Sequence, residues 1–99
     1  MIVVITDEAE ANLEALGDWI AADNPLRAIT FVQTLRQTCL ALADMPQAFP
    51  LVPRYESDGV RWRPYRDYLI FYRVTEEAVE ILHVLHAAQD YERILSPNG

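Results

Sequence analysis

Three features of this chain predict one α+β domain, with an antiparallel helical hairpin packed on a three-to-four-stranded, mainly antiparallel sheet. Apolar residues recur at helical spacing from residue 8 to residue 44, broken once at Asn24-Pro25. From Val60 the period changes to two, and aromatic and β-branched residues dominate. Ahead of both stands a β-branched run, Ile2 to Ile5, which reads as a short buried strand. The order is β-α-α-β-β-β with a short C-terminal helix, and helices and strands are segregated rather than alternating.

The first helix is expected over residues 8–22. Asp7 stands three residues ahead of Glu10, the spacing of a reciprocal capping box. Leu13, Leu16 and Ile20, with Trp19 beside them, form its apolar stripe. Asn24-Pro25 stops this helix and starts the next, with Asn24 as cap and Pro25 in the first helical position, where a missing N–H costs nothing. The second helix runs from about Pro25 to Asp44, with Phe31, Leu35, Cys39 and Leu42 on one stripe. So short a connection makes the pair antiparallel.

Met45-Pro46 ends the hairpin, and three prolines within residues 46–59 predict an irregular segment. Strands follow at Val60–Tyr65, Tyr68–Val74 and Val79–Leu85, with turns at Arg66-Asp67 and Glu76-Glu77. Asp90–Leu95 is expected to be a short helix and residues 96–99 a frayed tail.

A length of 99 residues allows one hydrophobic core and one domain, residues 1–99. Apolar residues make up 52% of the chain, which excludes disorder over most of its length. The single cysteine, Cys39, excludes an internal disulfide framework and suits a reducing compartment. The opening Met-Ile-Val-Val-Ile is too short for a signal sequence, and no apolar run is long enough to span a bilayer. A soluble cytoplasmic protein without membrane contact is expected.

Chemistry is sparse. The chain has no Walker loop, no His-Glu-x-x-His and no glycine-rich dinucleotide turn, so no cofactor is expected. His83 and His86 stand three apart, which on a strand puts them on opposite faces and argues against a shared metal. Cys39 falls on an apolar helical stripe and is expected to be packing. Glu8, Glu10, Glu14 and Asp18 form a solvated helix face.

The arginines stand out. All eight cationic side chains are arginine, and the net charge is −7. Five of the eight lie between Arg54 and Arg73, where only Glu56, Asp58 and Asp67 oppose them. A local cationic stripe on an acidic body points to a specific partner rather than to general polyanion binding. Arginine adds planar, bidentate donor geometry. Arg61 and Arg63 alternate around Trp62 and therefore share a face. The turn at Arg66-Asp67 is expected to bring Arg73 near Arg61. Like charges across strands cost about 0.2–1 kcal/mol. Two ways of offsetting that cost stay open: carboxylates from the first helix or Asp90, or an acidic partner.

Tyr68-Leu69-Ile70-Phe71-Tyr72-Arg73-Val74 and Val79-Glu80-Ile81-Leu82-His83-Val84-Leu85-His86 resemble the two central strands of ParE-type toxins in the RelE/ParE superfamily. Gly59-Val60-Arg61 is similar to the preceding strand opening of that family. Trp19 to Pro25, Ala28 to Phe31 and Leu42 to Pro46 are similar to its hairpin. The resemblance spans about residues 6–95.

The resemblance implies the toxin of a bacterial type II toxin–antitoxin pair, which serves plasmid or chromosome stabilisation and inhibits growth when free. It would form a hetero-oligomer with a ParD-like antitoxin. ParE members inhibit DNA gyrase by trapping its cleaved-DNA complex, whereas RelE members cut mRNA on the ribosome. RNA cutting needs a proton acceptor, a donor for the leaving oxygen, and cations on the phosphate. Arginine serves poorly as the acceptor because it keeps its proton. Many members carry His-x-x-Arg-Asp at the end of the last strand. Here the segment reads His86-Ala87-Ala88-Gln89-Asp90, and no lysine exists to replace the missing cation. The acidic body also disfavours ribosomal RNA and direct DNA binding.

Gyrase inhibition by binding is therefore the expected activity, without a catalytic residue or metal. The alternatives are a ribosome-dependent mRNA endoribonuclease and a degenerate, non-toxic antitoxin-binding homologue. Candidate target contacts are Arg61, Arg63, Arg73, His86 and Tyr91. Candidate antitoxin anchors are Trp19, Phe49, Leu51, Tyr55 and Trp62, on which an amphipathic helix or an added strand would rest.

Overall fold

The computed structural model describes residues 1–96, so of the expected tail at 96–99 all but Ser96 lies outside the described residues. The elements are β1 (Ile2–Ile5), α1 (Asp7–Ala21), α2 (Pro25–Leu40), β2 (Val60–Tyr65), β3 (Tyr68–Val74), β4 (Ala78–His86) and α3 (Tyr91–Leu95), with 3-10 turns at Ala41–Asp44 and Glu56–Asp58. The four strands lie in the order β1-β4-β3-β2. Neighbours β2–β3 and β3–β4 are antiparallel, and β1 joins β4 in parallel, with Ile2 opposite Ala78 and Ile5 opposite Ile81. This is the predicted α+β architecture.

The helix starts follow from local side-chain chemistry, with one correction. Thr6, not Asp7, caps α1: its hydroxyl accepts from the Ala9 N–H at 3.2 Å and donates to the Ile81 carbonyl at 2.7 Å. The contact with β4 holds Thr6 where its oxygen meets the first turn. Glu10 is drawn away from any capping box by a bidentate ion pair with Arg36 of α2. Asn24 caps α2 as predicted, accepting from the Arg27 N–H at 3.1 Å, with Pro25 in the first turn. The last predicted turn of this helix tightens into the 3-10 turn at Ala41–Asp44, a common way to close a helix end.

Against the single core expected from the length, the sheet divides the buried apolar side chains into two clusters, one on each face. On one face Leu13, Leu35, Cys39 and Leu42 of the hairpin pack on Ile70, Tyr72, Val79, Ile81 and Val84. On the other, Val52, Tyr55, Val60, Phe71 and Leu85 form a second core, closed by Trp62, Tyr91, Ile94 and Leu95. The irregular proline-bearing segment and α3 thus cover the face the helices leave bare. Burial on both faces explains the apolar run from Tyr68 to Tyr72 of β3, since a strand with one wet face would alternate. Tyr72 is fully buried, and its hydroxyl donates to the Pro46 carbonyl at 2.8 Å, tying the hairpin exit to the central strand. Burial pushes the Tyr72 phenol pKa up, against the opposing pull of Arg61.

The sheet edges differ. Residues 50–52 run beside the outer edge of β2, where the Val52 N–H reaches the Val60 carbonyl at 2.8 Å and the Trp62 N–H reaches the Pro50 carbonyl at 3.2 Å. Pro64 further along that strand has no N–H to offer. The β1 edge has no paired strand among the described residues, and Ile2 and Val4 are exposed there.

Candidate functional site

The arginine stripe splits across the sheet. In the β2–β3 ladder Arg61 lies opposite Tyr72, Arg63 opposite Ile70, and Arg73 opposite Val60. Paired residues share a face, so Arg61 and Arg63 project on the hairpin side and Arg73 on the side of the second core. The expected cluster of Arg61 with Arg73 is therefore not formed. The two are close in the ladder but one residue out of phase, which sends their side chains to opposite faces. Arg73 instead meets its cross-strand partner Glu80, at 3.1 Å.

Each arginine of the stripe has a distinct local role. Arg61 donates to the Phe49 carbonyl at 2.7 Å and so anchors the proline-bearing segment to the strand edge. The Arg63 guanidinium lies 5.1 Å above the Phe49 ring and donates to the Pro64 carbonyl at 2.6 Å. Arg54, at φ 75°, pairs with Glu92 of α3 at 2.9 Å. Arg66 takes φ 51° in the β2–β3 turn, with its guanidinium 5.7 Å from the Tyr65 ring centre. Arg27 sits 6.0 Å from the Phe31 ring centre. Among the described residues Arg27, Arg61, Arg63 and Arg66 have no carboxylate within ion-pair distance.

His86 and Tyr91 are not brought together. His86 lies on the hairpin side, its ring 5.3 Å from Tyr68. Tyr91 packs in the second core, 5.4 Å from both Trp62 and Phe71. Gln89 closes the turn between them: its side-chain oxygen accepts from the His86 N–H at 2.8 Å. The Ala88 N–H donates to His86 Nδ1 at 3.0 Å, so in the neutral ring the proton sits on Nε2.

His83 points to the opposite face from His86, as the spacing predicts. Its Nδ1 lies 3.2 Å from the Asn12 side-chain oxygen, which also accepts from the Val84 N–H at 3.0 Å. Burial pulls the His83 pKa down, with Glu8 opposing. Asn12 escaped sequence reasoning because it carries no charge and sits inside an ordinary helix. Cys39 is buried, and desolvation pushes its thiol up to about 12, which leaves it inert. Among the described residues no three histidine, cysteine or carboxylate side chains gather in a way that would hold a metal ion.

The antitoxin-anchor candidates take different positions. Tyr55 is buried, its hydroxyl donating to the Glu92 carbonyl at 3.2 Å. Trp62 packs on Phe71 and Tyr91, Phe49 lies against the first core, and Leu51 bridges to Arg61. Trp19 alone of the five is widely exposed, at 74%. Leu26 and Ile29 of α2 are also exposed. Neither is marked by the sequence pattern as a candidate; an apolar side chain off the Phe31–Leu35–Cys39 stripe is the signal that would have found them.

Ile29 helps line an open groove of about 640 Å³ between α1 and α2. Leu13, Gly17, Ala28 and Val32 give it an apolar floor, and Glu14 and Asp18 form an acidic wall beside Glu10, which Arg36 already pairs. Gly17 permits the close approach of the helices: a methyl there would stand 3.3 Å from a Val32 methyl.

The family described as "ParE toxin of type II toxin-antitoxin system, parDE" matches residues 3–91. A solved structure titled "Chromosomal ParDE TA system from P. aeruginosa" superposes with a TM-score of 0.74 at 24% identity, covering 87% of this chain and 95% of that one. At that identity the likeness establishes the fold. No curated protein matches the chain.

Proposed function

This chain belongs to the ParE toxin family of type II toxin–antitoxin systems, and on that footing we propose that it is a toxin that binds DNA gyrase and is neutralised by a cognate antitoxin. The inhibition is by binding, with no bond made or broken by the chain itself.

One observation carries the choice of binding over catalysis. His86 and Tyr91, the residues best suited to move a proton, lie on opposite faces of the sheet. Arg73 is engaged by Glu80, Gln89 is engaged in a turn, and no lysine exists to add a cation. His86 and Tyr91 therefore do not converge as the proton-moving pair that RNA cleavage asks for. Arg61 and Arg63, half-buried at the edge of the hairpin face, are the target contacts this reading favours.

The α1–α2 groove suits the antitoxin. Its apolar floor fits the apolar stripe of an amphipathic helix, and its acidic wall favours lysine or arginine on the helix flank. The exposed β1 edge offers hydrogen bonds to an added strand. The pair would act in the cytoplasm, where gyrase is found.

A supercoiling assay with purified gyrase tests the toxic activity. The free chain is expected to block supercoiling and to accumulate cleaved DNA. Unchanged supercoiling at a large molar excess, together with new codon-positioned mRNA ends after induction, would transfer the chain to the RNA-cutting reading. Normal growth when the chain is expressed alone would reduce it to an antitoxin-binding homologue.

A further inference from the structure

A second cleft opens where the tip of the hairpin meets the β2–β3 turn. It holds about 570 Å³ and shares no residue with the groove between the helices. Its floor is aromatic: the Phe31 ring stands 5.4 Å from Tyr68, and Tyr68 stands 5.3 Å from His86, both edge to face. Arg27 and Arg66 flank that floor, their guanidinium groups 6.0 Å from the Phe31 ring centre and 5.7 Å from that of Tyr65, and Trp19 forms the outer wall.

The charge pattern is what calls for an occupant. In a body of net charge −7, Arg27 and Arg66 have no carboxylate within ion-pair distance among the described residues. Both side chains are exposed, so their guanidinium N–H edges can meet a planar acceptor. Asp23 and Asp67 line the same cleft and present acceptors alongside these donors. A polypeptide carries both carboxylates and amide N–H groups, so it matches both kinds of wall. A nucleic-acid backbone brings a phosphate at every step and no backbone N–H for Asp23 and Asp67, whereas a peptide can set carboxylates on the arginines and amide N–H groups on the aspartates.

We propose that this cleft binds an acidic segment of a protein partner, with carboxylates on Arg27 and Arg66 and an apolar side chain on the Phe31–Tyr68 floor beside Trp19. The site is independent of the gyrase assignment and of the antitoxin groove. A partner filling both clefts would clasp the hairpin from its side and its tip.

The test is fluorescence anisotropy on the whole chain with a labelled short peptide of alternating glutamate and leucine. Its glutamine counterpart and oligouridylate serve as competing probes. Trp19 emission, followed in W62F, reports occupancy at the cleft itself. The glutamate peptide should bind and shift Trp19 emission, and the glutamine peptide should bind at least about tenfold more weakly. R27E/R66E, and the milder R27Q/R66Q, should lose that preference while circular dichroism stays unchanged. Equal binding of the two peptides, an unaffected R27Q/R66Q, or no Trp19 response to the glutamate peptide would each overturn the site. Tighter binding of oligouridylate with the same Trp19 shift would also overturn it, and would make the cleft a nucleic-acid site. These outcomes leave the supercoiling result untouched, so the two readings fail separately.

Discussion

Arg61 and Arg73 point away from each other through the sheet: Arg61 lies opposite Tyr72 on the hairpin face, while Arg73 lies opposite Val60 and pairs with Glu80 at 3.1 Å on the other. Reversing these two charges therefore asks two different questions. Arg73→Glu breaks an ion pair at the surface, worth about 0.2–1 kcal/mol, and sets two carboxylates opposite each other. The double exchange Arg73→Glu with Glu80→Arg should restore the stability in urea denaturation. Arg61→Ala removes a charge-assisted bond to the Phe49 carbonyl and should cost about 1.5 kcal/mol. If Arg61 also touches the target, Arg61→Lys should retain most of the stability and lose toxicity, because an ammonium lacks the planar fork.

The antitoxin groove makes a separate prediction. Ile29 is exposed, so Ile29→Glu should change stability by no more than about 0.5 kcal/mol. A carboxylate in place of this apolar contact would have to be desolvated against the apolar stripe of the antitoxin and should weaken binding by at least about tenfold. Titration calorimetry with the purified antitoxin reads the affinity, and unchanged affinity would remove the groove from the interface.

Acid should destabilise the fold in two stages with one sign. His83 has its pKa pulled below the ordinary 6.5 by burial, so the unfolded chain takes up a proton before the folded one does. Stability should therefore fall as pH drops through 6.5 toward the lowered folded value. Glu10 is held below its ordinary 4.5 by its hydrogen bond to Arg36, so its contribution is present above 4.5 and lost below it. His83→Gln should flatten the first stage and Glu10→Gln the second, in denaturation midpoints measured across pH.

Cys39 should be silent in the folded protein. With its thiol pushed up to about 12 and its side chain buried, almost no thiolate exists at neutral pH. Iodoacetamide should leave the native chain unmodified by mass spectrometry and label it fully in denaturant. Cys39→Ser buries a hydroxyl in an apolar core and should cost about 1–3 kcal/mol.

Much of this architecture was legible in the residues themselves. Asn24-Pro25 marks the hairpin turn because a capping side chain and a fixed φ act within one helical turn. The strands from Val60 onward announce themselves because side-chain alternation is a property of each strand alone. The opposite facing of His83 and His86, the packing role of Cys39 and the placing of Trp62 away from Arg61 and Arg63 follow from the same local periods.

The site was less legible because its parts meet across the chain. Thr6 outranks Asp7 as a cap only because Ile81, distant in sequence, fixes its hydroxyl. The second core exists because the proline-bearing segment and α3 fold onto the bare face of the sheet, which no periodicity announces. The arginines read as one stripe in the sequence. Strand pairing, where a shift of one residue exchanges the faces, gave Arg73 to Glu80 and left Arg61 and Arg63 on the hairpin side. Composition and short-range spacing sufficed for the class of fold and the kind of side chain at its surface. Which of those side chains face one another was decided by register, and register is set only when distant strands and helices pack.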